Sequence, residues 1–472
     1  MNIWESIRLW LLRQLKVEPA QPRQLWVRES LTFEDNAALN RLWYTGDADA
    51  LSQVYAQLGG NGFWAKSAKN TQVQRIHTGI PGAIVDTLAQ LVVSDLLDAQ
   101  IADSPVLEER LAAMLEGVSF HDVLEDAVAQ MLVIGDGAFR VTYDGRVGVA
   151  FVPGDRVLFD GDEIVFCTRY KTAAREYLLR ETYAPGAIRC ILTDSAGIAV
   201  PLDTLPETAE LVPELTFSGG VMLAVPLRCR RSPVWPGRGQ SIFDRKRGSF
   251  DALDEAWSQW MHAVRKSHAK TYIPESLARY DPQTGAPMRP DDFTDSFLVV
   301  GSSMAENGRD QIVTAQPDIA YEGYLSAYMT ALDLALQGII SPSTLGIDVK
   351  KLDNAEAQRE KEKTTLYSRA RIVQVLQKVL PQLFAAMLWL DGAVRGEAVE
   401  VPGITVPFGE YANPSFEAQV ETLGRAKTTG IISNEALVDE LWGDTKTAQW
   451  KAEELGRLEA ADGMAPAGDE VF

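Results

Sequence analysis

GQSIFDRKRGSFDALDEAWSQWMHAVRKSHAKTYIPESL, residues 239–277, is the stretch from which the architecture follows. Phe243, Phe250, Leu253, Trp257, Trp260 and Val264 fall on the a and d positions of a heptad, with Lys246 and Ser267 as mismatches. The spacing predicts a long helix with an aromatic seam. Tyr321, Leu325, Tyr328, Leu332, Ala335 and Ile339 keep the same alternating four-three step, which predicts a second helix of the same kind. Between the two, residues 270–317 are rich in turn formers (Pro274, Pro282, Gly285, Pro287, Pro290, Gly301, Gly308), with strand candidates at 271–273, 297–300 and 311–314. The expectation is a compact α/β tip mounted on a helical hairpin.

Downstream, the run Ser341-Pro342-Ser343-Thr344-Leu345-Gly346 has the Pro, Gly and hydroxyl content of a loop. A third long helix is expected over 354–395, entered through a stretch of mixed charge at 356–363 whose i,i+3 and i,i+4 pairs favour helix. Pro381 inside it removes a hydrogen bond and predicts a kink near Val379 or Leu380. Three shorter helices separated by Gly430 and Gly443 follow, then a frayed tail over 463–472.

Upstream, residues 1 to about 130 read as helical. Ile3, Trp4, Ile7, Leu11, Leu12 and Leu15 recur at helical spacing, which suits a membrane-surface helix or, more commonly, a packed or subunit-bridging one. Residues 76–97 predict a helix opened by Pro81, with Ile84, Leu88, Leu91 and Val92 facing a core. From 135 to about 226 the texture changes to short β-branched and aromatic runs at 139–143, 147–152, 157–159 and 164–170. Asp144-Gly145 and Asp160-Gly161 between them are hairpin signals. Residues 202–217 carry Asp203, Glu207, Glu210 and Glu214 without a basic residue and read as a solvated acidic loop. The fold class expected is α+β, mainly helical.

At 472 residues the chain exceeds the size at which single cores stop growing, about 250 to 300 residues, so several units are expected. Three cysteines (Cys167, Cys190, Cys229), far apart and without CxxC spacing, indicate neither a zinc cage nor a disulfide framework. No run approaches the roughly 18 apolar residues of a membrane span, and the first helix, broken by Glu5, Arg8 and Arg13, lacks a signal-peptide core. A net charge of −20 argues against ordinary nucleic-acid binding through a basic face and suits a protein that lets DNA slide. No phosphate loop, HExxH helix or GxSxG elbow occurs. The four histidines lack metal-ligand spacing, and the carboxylates Asp251, Asp254 and Glu255 read as a solvated helix face. No catalytic residue, metal or cofactor is expected.

Three blocks give the chain a family resemblance. SPSTLGIDVKKLDNAEAQREKEKTTLYSRARIVQVL, residues 341–376, closely resembles portal proteins of tailed bacteriophages, in particular siphophages of Gram-positive hosts. Residues 239–277 look like that family's first stem helix leading into its clip. RIHTGIPGAIVDTLAQLVVSD, residues 75–95, is similar to its early helix. The blocks stand in the family's order and spread the likeness over roughly 75–395.

The resemblance implies a portal fold: a wing over 1–238, stem helix 1 over 239–269, a small α/β clip over 270–318 and stem helix 2 over 319–340. A tunnel loop over 341–353, a long kinked wing helix over 354–400 and a helical crown with tail over 401–472 complete it. It implies a homo-oligomeric ring, usually a dodecamer, at one capsid vertex of the virion, assembled in the host cytoplasm. Double-stranded DNA would pass through the bore during packaging and ejection. The terminase large subunit would dock on the clip, major capsid and scaffold proteins on the wing, and head-completion or adaptor proteins after packaging, with no membrane partner. Phe250, Trp257, Trp260, Tyr321, Tyr324 and Tyr328 would pack between stems. Ser343, Thr344, Asp348, Lys350 and Lys351 would line the channel at the tunnel loop, Lys350 and Lys351 fitting equally well as helix-entry surface charges. A coiled-coil scaffold or assembly protein without a channel is the alternative that uses the same heptads.

Overall fold

Thr32 opens the first described helix, α1 (Phe33–Thr45): its hydroxyl accepts from the Asp35 amide, and Gly46 ends it at φ +73°. The computed structural model describes residues 31–59, 62–65, 73–102, 104–173, 175–267, 270–274, 296–300, 313–315, 318–347, 355–397, 403–409, 420, 423–425, 427, 432–442 and 448–462. The expected helix over 1–16 and the tail over 463–472 lie outside the described residues.

Helix α2 (Ala48–Leu58) is capped by the Asp47 carboxylate. Helix α3 (Ile80–Val93) buries Ile84, Val85, Leu88 and Val92, as the apolar spacing predicts, with Pro81 in its first turn. It is shorter than the expected 76–97. Gly79 sits at φ +73°, and the backbone before it bonds to another helix instead of continuing the ladder. Strand β1 (Gln100–Ile101) and α4 (Pro105–Gly117) lead to α5 (Phe120–Ile134), which is apolar nearly all round from Ala127 onward. A helix of that pattern belongs in a core, and Leu124, Val128, Met131, Leu132 and Ile134 are all buried.

The β-rich unit stands where the texture places it. Strands β2 (Asp136–Tyr143), β3 (Val147–Pro153), β4 (Val157–Asp160) and β5 (Glu163–Lys171) contain the predicted runs. Both predicted Asp-Gly turns join neighbouring antiparallel strands, with Gly145 and Gly161 at positive φ. Strands β6 (Glu176–Ala184), β7 (Ala187–Asp194), β8 (Ala199–Val200) and β9 (Glu214–Thr216) complete a six-stranded sheet in the order β4-β5-β6-β7-β8, with β9 also on β7. Strand β10 (Ala224–Arg228) returns to form a second sheet, β10-β2-β3, against α5. The acidic stretch 202–217 is more than a solvated loop. Asp203, Glu207, Glu210 and Glu214 are exposed, but Leu205 and Thr208 are buried, Leu205 in a small core with Leu179, Cys190 and Leu192.

Helix α6 (Arg247–Lys266) begins eight residues after the expected boundary at 239. The amides of Gly239, Gln240 and Ser241 are taken by the Asp136 carboxylate, the Arg230 carbonyl and the Asp244 carboxylate, so the segment is spent on tertiary contacts. Strands β11 (Lys270–Pro274), β12 (Ser296–Val300) and β13 (Val313–Ala315) form the tip, β11 central, parallel to β12 and antiparallel to β13. Helix α7 (Tyr321–Leu336) packs back along α6. Helix α8 (Ala355–Arg395) continues unbroken through Pro381.

By length and composition alone, residues 362–395 of α8 could cross a membrane. Their apolar side instead forms the centre of the molecule: Leu376, Leu380, Leu383, Phe384 and Met387 are buried against α3 and the β2 sheet. Strand β14 (Ile404–Thr405) pairs with β1, and helices α9 (Asn434–Trp442) and α10 (Ala448–Asp462) close the described chain, Trp442 meeting Trp450 at 5.6 Å. The fold is α+β.

Candidate assembly and channel surface

The hairpin of α6 and α7 is tied to the N-terminal helices along one side of α6, from Asp251 to Arg265, and leaves another side only partly covered. At the hairpin base Phe243, Phe250 and Leu253 face inward, and the Phe250 ring meets Phe243 at 5.6 Å and Trp43 at 5.9 Å. Phe250 is 1% exposed in the single chain, so it offers no surface to a neighbour. The expectation that it packs between subunits is corrected: the α1 core covers it.

Two acids on α6 fix the hairpin to the N-terminal helices. Asp251 accepts from the amides of Phe63 and Trp64, at 2.8 and 3.0 Å. Asp254 accepts from Trp64 Nε1, Thr78 N and Thr78 Oγ1 at 3.1, 2.9 and 2.8 Å, and His77 Nδ1 lies 2.7 Å from its Oδ2. Ser258, one turn on, accepts from the Ile76 amide. The reading of Asp251 and Asp254 as a solvated face therefore fails, because residues 62–65 and 73–78 fold over it. Burial pushes the Asp251 carboxyl above its ordinary value against the pull of its two amide donors.

Beside that anchor, between α6 and α7, runs an aromatic ladder. Trp257 and Trp260 stand 5.7 Å apart; Tyr328 lies 5.5 and 6.2 Å from them, and Tyr321 lies 5.6 Å from Trp260. Edge and tilted contacts of this kind contribute about 0.5 to 1.5 kcal/mol each beyond area burial. Trp257, Trp260, Tyr324 and Tyr328 are half-buried and Tyr321 is exposed, so one chain leaves much of the ladder uncovered. The outward side of α7 presents Gly323, Ser326, Ala327, Thr330 and Leu334, all exposed, with the exposed acids Glu322 and Asp333 at its edge.

Where α7 ends, the predicted loop begins as a 3-10 turn over Pro342–Leu345, with Gly346 at φ +70°. Its root is pinned to α8. Thr365 Oγ1 accepts from the buried Ser341 amide at 2.9 Å and lies 2.9 Å from Thr344 Oγ1, while Ser368 donates to the Ile339 carbonyl at 2.6 Å. Ser343 is exposed and Thr344 half-buried; Asp348, Lys350 and Lys351 lie outside the described residues. Replacing Thr365 with valine keeps the shape and strands the Ser341 amide, so a stability loss of about 1 to 3 kcal/mol is expected in urea denaturation. An unchanged midpoint would show that the pin holds nothing.

Helix α8 is tied to the segments that follow α3 and β14 by Arg369, which donates to Asp95 at 2.9 Å and to the Gly409 carbonyl. Among the described residues no three His, Cys, Asp or Glu side chains are grouped to hold a metal ion. Sequence reasoning missed the anchoring role of Asp254, although its place between Leu253 and Trp257 in the apolar seam signals burial. It also missed a group of cations at the hairpin base, Arg230, Arg245, Lys246 and Arg371, which come together only in the fold.

No protein-family model and no curated protein matches the chain. Among solved structures it is similar to a chain in the neck of a native GTA particle computed with C12 symmetry. That pair is 14% identical with a TM-score of 0.39, over 77% of this chain and 90% of that one. A chain in the neck of an empty GTA particle computed with C6 symmetry is also 14% identical, with a TM-score of 0.41 over 84% of this chain and 94% of that one. At that identity and superposition the likeness assigns neither a family nor an activity to this chain.

Proposed function

We propose that the chain is a phage portal subunit that closes with its copies into a ring, usually a dodecamer, through which double-stranded DNA is packaged and ejected. The observation that carries this reading is the uncovered aromatic ladder on a helical hairpin whose base is anchored and whose tip is a small separate sheet. Such a hairpin needs side neighbours. Covering one aromatic side chain contributes about 1.5 to 3 kcal/mol, and heterologous contacts between identical hairpins close into a ring when the rotation divides a full turn. Trp257, Trp260, Tyr321, Tyr324 and Tyr328 are the residues assigned to that contact. A second hairpin seated on the strip Gly323, Ala327, Thr330 and Leu334 leaves Glu322 and Asp333 at the edge of the contact, in solvent.

The element order supports the same reading. Stem helix, three-stranded tip, stem helix, pinned loop and long core helix follow each other as the three resembling blocks imply. The net charge of −20 supplies the electrostatics: a mainly acidic bore repels phosphates and keeps duplex DNA centred and mobile. On this reading the tip is the clip that receives the terminase large subunit and later the head-completion proteins, and the wing meets capsid and scaffold proteins. The chain itself supplies a conduit, with no catalytic residue assigned.

Native mass spectrometry of the purified full-length chain tests the assignment. A closed species of about twelve subunits is the expected result. A monomer or dimer that persists across protein and salt concentrations would favour the channel-free scaffold.

A further inference from the structure

Beside the loop root, four cations that are scattered in sequence converge on one cavity of about 120 Å³. Arg230 follows β10, Arg245 and Lys246 immediately precede α6, and Arg371 projects from α8. Leu88, Met131 and Ile339 contribute apolar wall, and among the described residues no Asp or Glu lines the cavity. Arg230, Arg245 and Arg371 are exposed and Lys246 is half-buried. Among the described residues none of the four pairs with a carboxylate. The nearest acid in sequence, Asp244, is already spent: Oδ1 accepts from Asn36 and Asn40 at 2.9 and 3.1 Å, and Oδ2 from the Ser241 amide at 3.0 Å.

Two features make this grouping costly in an empty pocket. The first is mutual repulsion: besides partial burial, Arg371 and Arg245 hold the Arg230 guanidinium below its ordinary value. The second is the helix behind it. Helix α6 has a lysine at its N-cap, no side-chain cap and no acid in its first turn, so Arg245, Lys246 and Arg247 crowd the positive end of a 20-residue macrodipole. Lys246 finds a compensating partner, donating to the Leu334 carbonyl at 2.7 Å near the end of α7. An anion answers both features at once, since the same dipole and unpaired guanidinium groups that repel one another attract it.

We propose that this pocket at the hairpin base binds a phosphate oxyanion, delivered either as free phosphate or by the backbone of double-stranded DNA. The bidentate geometry of guanidinium groups suits two oxygens of one phosphate, with Arg230 and Arg371 as the principal ligands and Arg245 and Lys246 completing the charge. The DNA source rests on the portal reading; the oxyanion site does not. In a chain of net charge −20, the pocket would be a local brake beside the loop while the rest of the surface repels.

The test uses the full-length chain. Thermal melting is followed in sodium phosphate and in sodium chloride of equal ionic strength, and duplex DNA binding is followed by fluorescence anisotropy over a salt series. Wild type is expected to melt higher in phosphate than in chloride, and the double variant Arg230→Gln, Arg371→Gln to lose that difference. If DNA is the source, phosphate displaces the duplex and the double variant reduces the slope of log K against log salt by about 0.9, the value for one phosphate contact. If phosphate protects but does not compete with DNA, the ligand is the free anion.

Equal melting in the two salts for wild type overturns the proposal, whatever the variant does. So does a double variant that falls apart into smaller species in chloride alone, because the cations would then be serving a neighbour's carboxylates. Should the double variant not fold, Arg371→Lys, which keeps the charge, must retain the phosphate effect. Subunit mass measured on the same samples separates the two readings: phosphate binding by a monomer removes the ring and leaves the site, whereas rings without phosphate binding do the reverse.

Discussion

Replacing Asp254 with alanine is expected to destabilise the chain by about 3 to 5 kcal/mol, enough to unfold many domains of ordinary stability. Its carboxylate is fully buried and accepts from an indole, a backbone amide and a hydroxyl, with the His77 ring 2.7 Å away. Alanine leaves those donors without water and without a partner, and each stranded donor costs about 1 to 3 kcal/mol. The His77 Nε2 atom is already buried without a partner, so the ring has no second bond to fall back on. The damage should be transmitted to the hairpin, because Asp254 joins α6 to Trp64, His77 and Thr78. Urea denaturation checks the magnitude. Asp254→Asn, which keeps the size and one acceptor oxygen, should fall between wild type and alanine; a loss below about 1 kcal/mol for alanine would mean that the anchor lies elsewhere.

The second large effect is expected at Gly239. A side chain there would overlap the Gly135 carbonyl and come within 2.8 Å of Asp136 Cβ, and backbone cannot swing aside as a side-chain tip can. The crowded partner matters as much as the crowding. Asp136 is fully buried, accepts from the Gly239 amide at 2.5 Å and pairs with Arg238 at 2.9 Å, and the Arg238 guanidinium lies 3.8 Å from the Phe33 ring centroid. Pushing the two backbones apart strains that network and leaves a buried carboxylate badly matched. Gly239→Ala should therefore cost on the order of 4 kcal/mol, combining overpacking with a damaged buried ion pair. Gly248→Ala is the internal control. Gly248 is exposed in the first turn of α6 with nothing within 4 Å of the added carbon, so the same change should stabilise by about 0.5 to 1 kcal/mol. Equal effects at the two glycines would show that helix propensity, not packing, governs both.

Features set by local pattern were legible in the sequence. The Asp-Gly turns, the four-three step of Tyr321 to Leu332, the Pro81 helix start and the run into α8 all depend on neighbours within a few residues. Features set by distant partners were not. Asp254 finds Trp64 and Thr78 across 190 and 176 positions, Asp136 finds Arg238 across 102, and Phe250 meets Trp43 from another helix. The start of α6 was misplaced for the same reason. Residues 239–246 carry a heptad-compatible pattern, but their amides are claimed by the Asp136 and Asp244 carboxylates and the Arg230 carbonyl before a helix can use them.

Cations near the loop divide in the same way. Lys350 and Lys351 are legible because they adjoin a recognisable loop, whereas the cations that the fold gathers near that loop's root come from three separate segments. Only the packing of α8 beside the start of α6 makes Arg371 a neighbour of Arg230. The aromatic ladder, by contrast, was readable as a seam, though not as the half-covered surface it forms in one chain.

That half-covered surface makes subunit closure the central claim, and negative-stain imaging of the purified full-length chain tests it most directly. The expected images are closed rings with a central opening wide enough for duplex DNA, dispersing when Trp260 and Tyr321 are both replaced by alanine. Solid particles, open filaments, or rings indifferent to that double replacement would contradict the account.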